Sequence, residues 1–235
     1  MSITQLFSPD EFFTAVAPNS FAVGQLCWIP APMPEPVPRI LDVNRNRPEE
    51  HEEVQFELRL ANHESDFKKS DRSLPIKYLN LRSNEELLCQ RCKKRTGVII
   101  GTKVDCYPEI TKLLPSKGKK HQQQECMFVV PCYSVQNEGY GKGFIQPIVE
   151  RTKCLMYRQF FYLPSWQGHP ELIARFDRTQ MIIGKDPATI EPTGTCLSEE
   201  VFNTFLAMFI FCVSGEADKT LEATINLCRE AYPRE

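Results

Sequence analysis

The sequence contains no apolar run long enough to cross a bilayer. Its most apolar segment, residues 201–213, is interrupted by Asn203 and Thr204 and is shorter than the roughly 20 apolar residues that a membrane-spanning helix needs. The first residues, MSITQLFSPDEFF, have neither the basic start nor the apolar core of a secretory signal. We therefore expect a cytoplasmic protein that does not contact a membrane.

The chain also lacks a strong net charge. Its formal charge is −2 over 235 residues, which predicts neither overall attraction to nucleic acid nor repulsion from it. Any basic binding surface must therefore be local. Apolar residues make up 42% and charged residues 25% of the chain, as in ordinary globular proteins. The length allows one large domain or one domain with appendages.

Cysteine is abundant, but it does not form paired metal motifs. Cysteines within apolar runs of a reduced cytoplasmic protein behave as small buried hydrophobic residues. Most of the ten cysteines are of this kind, including Cys27, Cys132, Cys154 and Cys212.

Cys89 and Cys92 alone have the spacing of metal ligands. A zinc site would need two further ligands, for which Cys106, His121 and Cys126 are candidates, and no second CxxC pair is present. Two ordinary thiols near the start of a strand are the favoured interpretation. We expect neither a metal nor another cofactor.

Hydrophobic patterning indicates a chain built mainly of strands. Residues 54–60 alternate between apolar and polar side chains, which is typical of a half-buried strand. Proline-rich residues 30–38 predict a loop, residues 116–124 a basic-polar loop, and residues 139–143 a turn. Apolar and β-branched runs predict further strands at residues 21–29, 39–43, 75–81, 98–100, 126–130 and 154–163.

Helices are predicted at the two ends of the chain. Ser8 and Pro9 are typical of a helix start, and the helix should end before Pro18. A longer helix should begin after Ser198 and end at Gly215, followed by a second helix over residues 216–231. The buried faces of the two C-terminal helices are predicted to contain Val201, Phe205, Met208, Leu221, Ile225 and Cys228.

Many short strands followed by helices predict a mainly β, α+β protein, with a small β-barrel that carries C-terminal helices. The apolar face of those helices either packs on the barrel or forms an interface with a partner or a second copy. The sequence leaves both alternatives open.

Three ordered segments resemble the MazF/PemK/Kid toxin family. VGQLCWIP at residues 23–30 resembles the family's first strand, and KKRTGVIIG at residues 93–101 resembles its basic second motif. CMFVVPCYSVQNEGY at residues 126–140 resembles the third, an apolar strand that ends in Val-Pro-Cys and hydroxyl residues. CLMYRQF at residues 154–160 lies where the family has a strand built around Asp-Gln.

The resemblance implies an SH3-like barrel, usually a homodimer, that cleaves single-stranded RNA without a metal and binds an antitoxin tail over its RNA groove. On this interpretation residues 1–195 form the barrel domain with an N-terminal helix and an insertion over about 31–90. Residues 196–235 form a C-terminal helical hairpin packed on the barrel.

Metal-free cleavage of RNA uses the 2′-hydroxyl as nucleophile and needs a cation to stabilise the charged transition state. An arginine suits that task, because its planar fork pairs with phosphate oxygens and remains charged. Arg95 occupies the family's arginine position, and Ser134 is the candidate catalytic hydroxyl. Lys119 and Lys120 would add local positive charge. The candidate substrate-binding residues are Lys93, Lys94, Thr96, Tyr133 and Gln136.

The chain departs from the family pattern at three positions. Thr96 follows the arginine where the family has proline, Tyr133 replaces a threonine, and Arg158 replaces an aspartate. The Tyr133 ring is long enough to stack on a base instead. These departures motivate an alternative function, a catalytically inactive barrel that binds RNA or a protein partner within a defence or toxin–antitoxin system.

Overall fold

The computed structural model describes residues 1–45, 54–68, 81, 84–102, 125–139, 141–230 and 232. The described residues divide into two compact units, one formed by Met1–Pro30 and Lys94–Glu235 and the other by Ala31–Lys93. The predicted loop at 116–124 lies outside the described residues, as does the predicted strand at 75–81 apart from Leu81.

The first unit is built on an antiparallel sheet. Its strands are β1 Phe13–Ala15, β2 Gln25–Pro32, β6 Cys92–Thr102, β7 Cys126–Ser134, β8 Phe160–Leu163, β9 Leu172–Arg175, β10 Gln180–Ile183 and β11 Glu191–Leu197. The strand order is β1-β11-β2-β6-β7-β9-β8, with β10 paired to β7 beside β9, so β6 and β7 are central. In the described part of the chain no ladder joins β1 to β8, so the sheet is open.

Short and long helices accompany this sheet. Two four-residue helices open the chain, and the longest helix follows β11. The helices are α1 Ile3–Leu6, α2 Pro9–Phe12, α3 Gln146–Lys153, α4 Glu199–Ser214 and α5 Lys219–Glu230, with a 3-10 helix at Phe176–Arg178.

The second unit contains a small antiparallel sheet of order β4-β3-β5. Its strands are β3 Arg39–Arg45, β4 Val54–Leu60 and β5 Leu88–Cys89. Strands β3 and β4 confirm the predictions at 39–43 and 54–60, and Leu41 faces Leu58 across the ladder. Phe56, Leu58 and Leu60 of β4 are nevertheless exposed, and Phe56 is 61% accessible.

Strand β7 continues through Pro131, where the sequence predicted an end. Residues 126–129 of β7 pair with β10, and residues 132–134 pair with β9. Pro131 falls between these two ladders, so the break in pairing lies at the residue that has no backbone N–H. The proline therefore marks a change of partner rather than the end of the strand.

Three other predicted boundaries were wrong. The predicted strand at 154–163 is a strand only over Phe160–Leu163, because the buried Leu155 takes a turn with φ +53°. The predicted strand at 21–29 begins at Gln25 and runs to Pro32. The N-terminal helix ends at Phe12, since the next three residues pair with β11.

The main core lies between the sheet and α4. Phe205 of α4 contacts Phe161 at 5.0 Å and Phe176 at 4.9 Å between ring centroids. The faces predicted for α4 and α5 are confirmed, because Val201, Phe205, Met208, Leu221, Ile225 and Cys228 are all buried. Gly215 ends α4, as predicted, and it takes the left-handed conformation.

The fold is therefore a mixture of strands and helices in which strands predominate. No single helix in the described part of the chain is long and apolar enough to cross a membrane. Helices α4 and α5 meet such a criterion of length and composition only as a pair, and they are bent by 99° at their junction.

Candidate functional site: an arginine–aromatic row

Arg95 and Tyr133 meet on neighbouring strands of the first unit. Strand β6 pairs with β7 so that Gly97 faces Pro131 and Val98 faces Val130. Continuing this register by two residues places Arg95 opposite Tyr133, where cross-strand side chains contact each other. The Arg95 Cζ lies 4.2 Å from the centroid of the Tyr133 ring, which is a close cation–π contact.

A second arginine reaches the same ring from the other side of β7. Arg175 ends β9, and its Cζ lies 5.4 Å from the Tyr133 centroid and 5.6 Å from that of Phe160. After Arg175 the chain makes the 3-10 turn that buries Phe176 and then resumes pairing with β7 as β10. We call Arg95, Tyr133, Arg175 and Phe160 the arginine–aromatic row.

The two arginines differ in their charge environment. Asp177 binds Arg175 through both carboxylate oxygens, with Nε donating to Oδ1 at 3.0 Å and Nη2 donating to Oδ2. Arg95 forms no ion pair with a carboxylate in the described part of the chain. An anion is therefore expected to bind at Arg95, while Asp177 holds the Arg175 guanidinium in one orientation.

Ser134, the other predicted catalytic residue, is not brought to Arg95. Tyr133 pairs with Ile173 and Ser134 with Leu172 in a regular ladder, so their side chains leave opposite faces of β7. Thr96 likewise alternates with Arg95 on β6, and it is 94% buried, with a relative exposure of 6%. Strand geometry thus separates the row from both residues.

Gln136 closes the loop that follows β7. Its backbone N–H donates to Phe144 O at 2.9 Å, and its Nε2 donates to Gly141 O at 2.8 Å. Its own carbonyl accepts a hydrogen bond from Gln146 Nε2 at 3.2 Å. The side chain predicted to bind substrate is therefore committed to holding this loop beside the row.

Of the predicted lysines, Lys94 lies on the face of β6 opposite to the row. Lys94 alternates with Arg95, and its Nζ binds Glu191 Oε2 at 2.6 Å and lies 6.0 Å from the Trp28 ring. Both charged side chains are more than half exposed, so this ion pair contributes little stability. Lys93 is exposed and belongs to the second unit, and Lys119 and Lys120 lie outside the described residues.

In the part of the chain that the structure describes, neither a zinc ligand set nor a reactive thiol lies near the row. Among the described residues, no three histidine, cysteine or acidic side chains cluster as metal ligands. Cys89 and Cys92 are free thiols, and the proposed ligands Cys106 and His121 lie outside the described part. Cys132, beside Tyr133, is no candidate nucleophile, because burial raises the pKa of its thiol well above the ordinary value.

Arg175 and Asp177 are functional candidates that pattern reasoning missed. The signal in the sequence is the segment Arg175-Phe176-Asp177-Arg178, where a buried aromatic is flanked by charges of both signs. The segment joins the row only because β9 and β10 pair with the same edge of β7. That long-range pairing cannot be inferred from local periodicity.

Comparison with known proteins found no relative of this chain. No protein-family model matches the chain, and neither the curated proteins nor the solved structures contain a significant match.

Proposed function

We propose that this chain is a metal-independent endoribonuclease of the MazF/PemK/Kid type that acts on single-stranded RNA at the arginine–aromatic row. In this proposal the eight-stranded sheet is a divergent, open form of the SH3-like barrel. The observation that carries the proposal is the placement of Arg95 against Tyr133 with no carboxylate partner in the described part of the chain.

The row offers the interactions that cleavage of a phosphodiester by its 2′-hydroxyl requires. The Arg95 guanidinium provides donors in a planar fork for two phosphate oxygens. Charge grows on those oxygens as the 2′-oxygen attacks, so a fixed guanidinium stabilises the transition state more than the ground state. Phe160, half-buried beside Arg175, supplies an apolar ring near the phosphate.

The proposal includes a protein partner. The resemblance that suggests the activity also suggests an antitoxin-like tail that lies across the row, and assembly as a homodimer. An extended acidic segment would be attracted to Arg95 for the same reason as a phosphate.

A second candidate is a non-catalytic protein that binds RNA or a protein tail at the same row. The observation that favours it is the position of Ser134, whose side chain leaves β7 on the face opposite to Arg95. The burial of Thr96 also favours this second candidate, because a buried side chain cannot contact a substrate.

The experiment that separates the two candidates is a cleavage assay with long single-stranded RNA in EDTA. We expect cleavage by the wild type, and a loss of about 10²-fold or more in Arg95→Ala, the magnitude typical of removing one group that stabilises transition-state charge. Arg158→Ala removes an equal charge from an exposed turn and should leave cleavage unchanged. RNA that stays intact with the wild type, or undiminished cleavage by Arg95→Ala, would exclude the nuclease.

A further inference from the structure

The leaving group of the proposed reaction needs a proton. When the 2′-oxygen bonds to phosphorus, the bond to the 5′-oxygen breaks, and an alkoxide leaves slowly unless it is protonated. A serine on the other face of β7 cannot supply that proton to a phosphate held by Arg95. The proton donor must therefore be a hydroxyl or an acid on the face of the sheet that carries Arg95.

Few described side chains meet this requirement. Asp177 already accepts hydrogen bonds from Arg175 Nε and Nη2, one on each carboxylate oxygen. His169 stacks on Trp166 at 4.8 Å between ring centroids and lies 5.9 Å from Trp28, the neighbour of Lys94 on the face opposite to Arg95. The phenol of Tyr133 is the hydroxyl that belongs to the row.

The ring of Tyr133 already contacts two arginines, and this limits the interactions that the residue can form with a substrate. Arg95 covers the ring at 4.2 Å, and Arg175 approaches it at 5.4 Å. Stacking on a nucleobase would have to displace a guanidinium from the ring. The hydroxyl, by contrast, extends from a half-buried residue whose backbone is fixed by pairing to the fully buried Ile173.

We propose that Tyr133 is the general acid of the reaction, an inference that rests on the proposed nuclease function. The 2′-oxygen forms a bond to phosphorus and gives up its proton to water, while the bond between phosphorus and the 5′-oxygen breaks. The Tyr133 phenol transfers its proton to that 5′-oxygen and is reprotonated by solvent. The products are a 2′,3′-cyclic phosphate and a free 5′-hydroxyl, so atoms and charge balance.

The two arginines give this proton transfer a physical basis. As the phenol loses its proton, negative charge appears on its oxygen, and two guanidiniums already lie against the ring. The two cations stabilise this charge as it develops in the transition state. Arg175 thereby acts as a positioning residue: its ion pair with Asp177 keeps the second cation beside Tyr133.

The test uses Tyr133→Phe, which keeps the ring and its contacts with both arginines and removes only the hydroxyl. The wild-type cleavage site is first mapped on long RNA, and short RNAs with that site are then made with either oxygen or sulfur at the bridging 5′ position. A thiol has a pKa of about 8.5, so sulfur leaves without a proton. Tyr232→Phe, which removes a hydroxyl near Arg151, is the matched control.

With the oxygen substrate we expect Tyr133→Phe to lose about 10²–10⁴-fold in kcat with an unchanged KM, the usual contribution of a general acid. With the sulfur substrate its rate should return to within about tenfold of the wild type, since the step no longer needs the proton. The control should match the wild type on both substrates.

Three results would overturn the assignment. Full cleavage of the oxygen substrate by Tyr133→Phe removes the catalytic role and leaves the nuclease proposal standing. An equal loss on both substrates shows that the hydroxyl acts in some other way than as a proton donor. If the wild type cleaves no RNA, the proposed function fails and the role of Tyr133 fails with it.

Discussion

Arg95 is distinguished from the neighbouring basic residues by its surroundings rather than by its charge. Lys94 is paired with Glu191, and Arg175 is paired with Asp177, whereas Arg95 is packed against an aromatic ring. An arginine packed on a ring keeps its donors directed outward in a fixed plane. The same alternation of side chains that brings Arg95 to Tyr133 takes Ser134 and Thr96 away from it.

The buried thiols of Cys27 and Cys132 predict a loss of stability in alkali. Burial raises the pKa of Cys27 from 9.0 to about 12 and raises that of Cys132 in the same direction. Above pH 9 the unfolded chain therefore releases protons that the folded chain retains, so the free energy of unfolding falls as pH rises towards 12. Urea denaturation at pH 8 and pH 10 should show lower stability at pH 10.

Thiol labelling of the native protein checks the same burial independently. At pH 8 the exposed Cys92 should react with a thiol reagent, and Cys27 and Cys132 should not. Labelling of Cys132 as fast as Cys92 would show that the β7 strand is not packed as described.

Gln25 is a structural residue, and its replacement by leucine should destabilise the first unit. Its fully buried amide accepts hydrogen bonds from Ser20 Oγ and Ala22 N at 2.8 Å each. Its Nε2 donates to Ala17 O, Pro18 O and Thr193 O. Gln25→Leu removes the hydrogen bonds to these groups, and each buried group that is left unpaired costs about 1–3 kcal/mol.

Urea denaturation should therefore give a loss of at least about 2 kcal/mol for Gln25→Leu. Gln55→Leu, at an exposed position of β4, is the control and should stay within about 0.5 kcal/mol of the wild type. Equal stabilities of the two variants would show that the hydrogen bonds of the Gln25 side chain do not stabilise the first unit.

At the scale of elements, the site depends on how β7 ends. Beyond Ser134 the chain leaves the sheet and returns, so that Phe144 N–H donates to Ser134 O at 3.1 Å. Gly143 makes this return possible at φ +128°, where a Cβ would lie 2.2 Å from Ser134 O. The loop thus braces the end of the strand that carries Tyr133.

Gly143→Ala should therefore lower both stability and cleavage. The added methyl forces the loop away from Ser134, at a cost of about 1–3 kcal/mol for the strained backbone. Gly141→Ala is the matched control, because a Cβ there meets nothing within 4 Å. Thermal unfolding and the RNA cleavage rate measure the effect, and indistinguishable results for the two variants would rule out the bracing role.

Patterning within single elements predicted much of this structure. The strand at residues 54–60 and the buried faces of α4 and α5 were predicted correctly, because each depends on the period of one strand or helix. The half-burial expected for that strand was wrong, since Phe56, Leu58 and Leu60 are exposed. The continuation of β7 through Pro131 was missed, since it depends on where two distant strands stop pairing. The ordered motifs named Arg95 and Tyr133 separately as candidate site residues, but their contact follows from the β6–β7 ladder and Arg175 entered only through the β7–β9 ladder.

At the scale of the whole molecule, the net charge of −2 means that RNA binding must rest on a few cations. The row presents two, and one of these is already balanced by Asp177. For a single strand, the slope of log affinity against log salt is about −0.7 per phosphate neutralised. We therefore expect a slope between about −0.7 and −1.4, which is far shallower than the slope of a protein that binds RNA through an extended basic surface.

Arg95→Ala should reduce that slope by about 0.7, because one phosphate contact is lost. Titrations at several salt concentrations measure it. A slope steeper than about −4, or one unchanged in Arg95→Ala, would place the binding surface elsewhere on the protein.

The affinity of the protein for RNA that cannot be cleaved tests most directly whether single-stranded RNA binds at the arginine–aromatic row. Fluorescence anisotropy with a 2′-O-methyl single strand, which lacks the nucleophile, separates binding from catalysis. We expect Arg95→Ala to weaken binding about tenfold or more, because it removes a charge-assisted contact of about 1.5–3 kcal/mol. Arg158→Ala should stay within about twofold of the wild type. Equal affinities for the wild type and Arg95→Ala would contradict the claim that single-stranded RNA binds at the arginine–aromatic row.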